Sequence, residues 1–227
     1  MFAYLYKGRP AIKDTLEALG VPHTEIDAIL INQKRAVKFF YQLREGEKVF
    51  VYPPGYYKKI AKSGVKHLQA KLPSVVKFVV DSHLGKLARI LRLLGFDVIY
   101  KKFFPDEHII HDSLCHKRVI LTRDIGLLKN KSVKWGAWIH SLNPLDQTKE
   151  VITKYNLMDR LKPFKRCLEC NGLIKSIAKK EILHGLHPKT KEYFREFYHC
   201  QDCRRVYWKG SHYEKLLKWV EEVKGLR

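Results

Sequence analysis

Acids are scarce in this chain of 227 residues: 23 Asp and Glu stand against 44 Lys and Arg, a formal net charge of +21. Such an excess repels itself in a compact state unless a polyanion or counterions offset it. Nucleic acid is the partner that gains most, because every phosphate contact releases condensed counterions. A membrane surface, or plain solubility, is the competing explanation. The excess runs through the whole chain, and residues 55–77 hold no acid at all. Long hydrophobic runs are missing too, since nothing approaches the ~18 to 20 apolar residues of a membrane span. The opening MFAYLYKGRPAIK lacks the charged-then-apolar order of a secretory leader. A cytoplasmic protein with no membrane partner is expected. Cysteine is sparse, at five residues. Four of them form two CxxC pairs, a pattern that in a reducing compartment reads as metal ligation before disulfides.

With 45% hydrophobic residues the chain can bury one large or two to three small cores. Residues 1–54 read as a small α+β unit. Phe2 to Tyr6 suggests an opening strand, and AIKDTLEALG a helix with Ile12, Leu16 and Leu19 on one face and Gly20 as its stop. AILIN and KVFVY follow as strands. Residues 55–75 read as a basic linker. From 76 to 162 strands and helices alternate. VVKFVV reads as an apolar run broken only by Lys77, close to what a strand covered on both faces would show. HLGKLARILRLLG turns Leu84, Leu87, Ala88, Leu91 and Leu94 to one side. FDVIY, DEHIIHDSLCHK, RVILT, DIGLLKN, WGAWIHSL and QTKEVITKYNL continue the series, which predicts an α/β fold with a parallel sheet flanked by helices. Residues 163–227 bracket a Lys-rich middle with the two CxxC pairs and end in the amphipathic KLLKWVEEVKGLR.

Asp81 follows FVV and Asp124 follows VILTR, both at the C-terminal ends of predicted strands, while Asp106 opens a predicted helix beside Glu107. Ligands bind open α/β sheets at that edge. Carboxylates gathered there repel one another unless a divalent cation such as Mg²⁺ or Mn²⁺ joins them. Asp is also a preferred helix N-cap, so a repeated strand–Asp–helix order yields the same pattern without chemistry. Asp97, at the start of its strand, belongs to the opposite edge. Lys86, Arg89 and Arg92 recur every three residues opposite the leucines and could lead a phosphate chain toward Asp81, or simply form a solvated face. Arg123 could grip a phosphate, and Ser82 and Thr122 could orient carboxylates.

VDSHLGKLARILRLLGFDVIY, DEHII and VILTRDIGLL, continuing through QTKEVI, CLECNG and CQDCRRVYWKGSHY, resemble in order the PIN-like nuclease domain of the Mut-seven-C type. The resemblance implies a metal-dependent ribonuclease, expected to be endonucleolytic, with Asp81 and Asp124 as Mg²⁺ or Mn²⁺ ligands. It implies Asp106 or Glu107 as a water-mediated ligand or an orienter of the attacking water, and Asp146 as a candidate fourth acid. The implied partner is RNA, of no distinguishable kind among tRNA, rRNA and mRNA, free or on a ribosomal particle. Residues 1–54 resemble the ubiquitin-like β-grasp domain placed ahead of such nucleases. Sulfur-carrier chemistry is excluded there, because it needs a free Gly-Gly terminus and this strand runs on into Tyr52-Pro53-Pro54-Gly55.

Cys167, Cys170, Cys200 and Cys203 would place two thiolate knuckles around one Zn²⁺, closing a structural zinc ribbon. Cys115 is expected to be a buried thiol. Around the ribbon Arg204, Arg205, Trp208, Lys209, Ser211 and His212 are candidates for RNA contact, since aromatics among cations stack on unpaired bases. The rival to a nuclease is a non-catalytic RNA- or ribosome-binding protein whose acids serve as caps, and DNA is a further substrate that charge does not exclude.

Overall fold

A computed structural model describes residues 3–54 and 67–225. In chain order its elements are α1 (Ile12–Ala18), β1 (Ala28–Ile31), β2 (Arg35–Val37), β3 (Val49–Tyr52), β4 (Lys77–Val80), α2 (Gly85–Leu93), β5 (Val98–Tyr100), α3 (Asp106–His116), β6 (Arg118–Thr122) and α4 (Ile125–Lys129). They continue as β7 (Gly136–Trp138), α5 (Pro144–Lys154), β8 (Ile174–Ile177), α6 (Lys179–Ile182), α7 (Pro188–Tyr193), β9 (Phe197–Cys200), β10 (Val206–Trp208) and α8 (Ser211–Lys224). Three sheets form: β2-β1-β3, a four-stranded β5-β4-β6-β7, and β10-β9-β8. Pairing is antiparallel in the first and third, and parallel in the β4–β5 and β6–β7 ladders. The molecule is therefore an α/β protein with a parallel sheet, an antiparallel N-terminal sheet and a cysteine-bearing sheet near the C-terminus. Among the described residues no helix is long and apolar enough to cross a membrane.

The chain divides into two compact units, one up to Val75 with Pro105–Trp138, the other Val76–Phe104 with Ile139 onward. The first unit's N-terminal sheet folds around β1, whose four residues are all buried. Ile29 and Ile31 face Ile12, Leu16, Ile26 and Leu43, and Ala28 and Leu30 face Phe50 and Tyr52. Asn32 and Gln33, both at positive φ, turn β1 into β2, and Lys34 N–H closes the turn on Ile31 O at 3.1 Å. The expected strand at Phe2 to Tyr6 does not form over 3–6. Leu5 is 97% exposed, and β2 and β3 already occupy both sides of β1. Of the expected linker, 55–66 lie outside the described residues. Its remainder is bonded to the unit: Gln69 Nε2 donates to His23 O and Ile26 O (3.0 and 2.8 Å), and Trp135 Nε1 donates to Lys71 O (3.1 Å).

In the second unit α2 ends in two bonds, Phe96 N–H to Leu91 O and Gly95 N–H to Arg92 O. Gly95 takes φ +95, and a Cβ there would lie 2.2 Å from Lys162 O. Only glycine fits, because its left-handed φ and the close crossing chain both exclude a side chain. That crossing is held by Lys162 N–H to Leu94 O and Phe164 N–H to Leu93 O, each 2.9 Å. The segment entering the cysteine-bearing sheet is thus tied to the end of α2.

Candidate metal centre and the acids at the strand ends

Two knuckles with the same backbone logic carry the four cysteines. In the first, Asn171 N–H bonds to Cys167 O, Cys167 N–H to Gly172 O, and Asn171 takes positive φ. In the second, Arg204 N–H bonds to Cys200 O, Cys200 N–H to Arg205 O, and Arg204 takes positive φ. The four Sγ atoms all lie within 4.8 Å of one another, and Cys167–Cys203 and Cys170–Cys200 are 3.6 and 3.3 Å apart. Tetrahedral Zn²⁺ with bonds of about 2.3 Å needs thiolates about 3.8 Å apart, so the donor set fits that ion with small adjustments. Among the described residues this is the one group of three or more His, Cys, Asp or Glu donors at such spacing.

The thiols are unequal. Burial works against ionising Cys167, yet amide N–H groups of Cys170 and Glu169 and the Tyr207 hydroxyl outweigh it and lower its pKa to about 7. Burial pushes Cys170 up to about 12. Tyr207 Oη lies 3.0 Å from Cys167 Sγ, and burial together with that thiolate raises its own pKa. Nothing in the sequence marks Tyr207 as a partner of a cysteine.

Arg92 corrects an expectation. Grouped with Lys86 and Arg89 as a phosphate-leading row, it is instead 5% exposed. Its guanidinium donates to Val98 O from Nε and Nη2, and from Nη1 to Leu168 O and Glu169 O at 3.1 and 2.7 Å. Burial lowers its pKa while the charges of Cys167 and Cys170 oppose that. It therefore binds the first knuckle to β5 and sets a cation beside an anionic four-thiolate centre. The three-residue spacing failed as a guide because Ile90, Arg92 and Leu93 are buried as well as Leu87 and Leu91. Asn171 completes the joint: its Oδ1 accepts from Val98 N–H and its Nδ2 donates to Asp97 Oδ1, both at 2.9 Å. Asp97 is structural, as its place at the strand start suggested.

The acids take different settings. Asp81, directly after β4, is 6% exposed and accepts from Ser82 Oγ at 3.1 Å. Asp124, two residues past the end of β6, is exposed and caps α4, with Oδ1 accepting from Gly126 N–H at 2.6 Å. Its own N–H donates to Thr122 Oγ1. Asp106 and Glu107 sit exposed in the first turn of α3, and Asp146 in that of α5, 3.8 Å from Lys149. Of the basic candidates Lys86, Arg123, Arg204 and Arg205 are exposed, while Arg89 pairs with Glu169 at 2.5 Å and Lys209 with Glu196 at 2.7 Å. Trp208 is partly exposed beside Phe194 and Phe197, and Ser211 and His212 open α8 on the surface. Cys115, expected to be buried, is exposed. The buried positions of α3 are Ile109 and Ser113, one turn apart, and Cys115 falls on another side.

Residues 76–220, more than half of the chain, match the family model described as the Mut7-C RNAse domain, and residues 2–56 match the Mut7-C ubiquitin model. No curated protein and no solved structure matches the chain.

Proposed function

Because the chain belongs to the Mut7-C RNAse domain family, we propose that it is a Mg²⁺- or Mn²⁺-dependent ribonuclease of the PIN-like type. In this reading Asp81 and Asp124 hold the ion, and Asp106 or Glu107 orients the attacking water. The observation that carries it is Asp81, a carboxylate almost wholly buried at the C-terminal end of a parallel strand. That edge is where open α/β sheets bind ligands, and a cation held there would lower the pKa of its water and neutralise charge that grows on the scissile phosphate. Arg123, one residue before Asp124, would grip the phosphate, and Lys86 would extend the cationic approach. The zinc ribbon and its exposed Arg204, Arg205, Trp208 and Lys209 would hold unpaired bases, with Ser211 and His212 beside them. A four-thiolate site leaves no position for water, so its role is structural. The N-terminal ubiquitin-like unit would position RNA, and the working compartment would be the cytoplasm. The capping bond of Asp124 favours one rival, an RNA- or ribosome-binding protein that does not cleave.

The separating experiment incubates the purified chain with structured and single-stranded RNA and with matched DNA in Mn²⁺. Cleavage of RNA that vanishes in Asp81→Asn and Asp124→Asn, with RNA binding retained, supports the nuclease. RNA bound by all three proteins and cleaved by none supports the rival.

A further inference from the structure

Helix α3 carries metal-ligating side chains that the nuclease reading leaves unused. In DEHIIHDSLCHK, His108, His111, Asp112, Cys115 and His116 recur three and four residues apart, the spacing that brings helical side chains together on one flank. Ile109 and Ser113 take the buried side, whereas the His111 side chain is 70% exposed and Cys115 is exposed. His111 Nε2 lies 3.5 Å from Cys115 Sγ. A tetrahedral Zn²⁺ with Zn–N of about 2.0 to 2.1 Å and Zn–S of about 2.3 Å sets two such ligands about 3.5 Å apart. The other ring nitrogen, Nδ1, lies 3.8 Å from Asp112 Oδ1, which is in turn 3.7 Å from His116 Nδ1. Metal-bound imidazoles commonly turn their second nitrogen to a carboxylate, which fixes tautomer and ring orientation. Asp112, with its side chain only 18% exposed, is the most anchored member of the set.

We infer that His111 and Cys115 form a second, exposed clamp for a borderline-soft divalent cation of the Zn²⁺ class, oriented by Asp112. Water completes the shell, with His108, one turn toward the helix start on the same flank, as the further protein donor. Two preset ligands in place of four make this clamp weaker and more exchangeable than the ribbon. It is independent of RNA cleavage.

The test uses the full chain with its ribbon already zinc-loaded, titrated with Zn²⁺ against a chromophoric chelator. Alkylation of Cys115 is followed in parallel by mass spectrometry. One further equivalent is expected, with affinity falling at least about tenfold in His111→Ala and in Cys115→Ser. Asp112→Asn should keep the equivalent and weaken it about tenfold, as loss of an orienting carboxylate does. His184→Ala, a histidine outside α3, should change nothing. Zn²⁺ should slow alkylation of Cys115 in the wild type and not in His111→Ala. The inference falls if no further equivalent binds, if both variants bind it unchanged, or if Cys115 alkylates at the same rate with and without Zn²⁺. An S–H···N hydrogen bond would then account for the 3.5 Å separation. Circular dichroism of each variant, together with its retained ribbon zinc, reports that it is folded.

Discussion

The cysteine knuckles and the strand-end acids are two candidate metal centres built on opposite principles. Each knuckle is local: six residues, one positive φ and a pair of amide bonds within them bring two thiols together. The acids are each held by their own strand end and bond to immediate neighbours, Asp81 to Ser82 and Asp124 to Gly126. A local centre is written in spacing. A centre assembled by topology has to be argued through the fold that carries it.

The comparison breaks most visibly if the ribbon stands without zinc. Cys200→Ser should remove the tightly bound zinc equivalent and expose 163–225 to proteolysis, because apparent binding free energies of about 10 kcal/mol or more are coupled to folding in such sites. Metal analysis and limited proteolysis would read this. Next in size, Asp81→Asn should lower the rate of RNA cleavage at least about a hundredfold, since an ion supplies several kcal/mol of transition-state stabilisation. Asp124 sharpens the contrast between ligand and cap. Asn caps a helix about as well as Asp, so Asp124→Asn should abolish cleavage at unchanged thermal stability. Asp124→Ala should also lose about 1 kcal/mol. Equal cleavage by the wild type and Asp124→Asn would leave Asp124 as a cap alone.

Smaller effects separate the two arginines on α2. Arg92→Met leaves three backbone carbonyls without their donor and should cost about 3 kcal/mol in denaturant unfolding. Arg89→Gln, which opens a half-exposed ion pair, should cost under about 0.5 kcal/mol.

Much of the fold was legible because it rests on short-range patterns. The largely apolar KFVV and RVILT segments became fully or nearly buried strands, and Gly95 ended α2 where the apolar periodicity stopped. What stayed hidden depends on partners distant in sequence. The strand β2 was missed because its turn uses Asn32-Gln33 with no glycine to mark positive φ. Residues 3–6 have strand-forming composition yet join no ladder, and β1 already has β2 and β3 on its two sides. Arg92 looked like a surface cation because its acceptors, Leu168 and Glu169, lie far along the chain. Cys115 looked like core because burial was assigned by residue type, whereas the helix turned its flank outward. For the site, the clustering of the four cysteines followed from CxxC spacing, while the Tyr207 hydroxyl and the side-chain bonds of Asn171 gave no motif to find.

The central claim is that buried Asp81 serves a divalent ion used on RNA, and single-turnover cleavage across a Mn²⁺ titration tests it most directly. The account predicts a rate that saturates with Mn²⁺ in the wild type and stays near background at every Mn²⁺ concentration in Asp81→Asn, with RNA still bound. Equal, saturating rates in both proteins would contradict it.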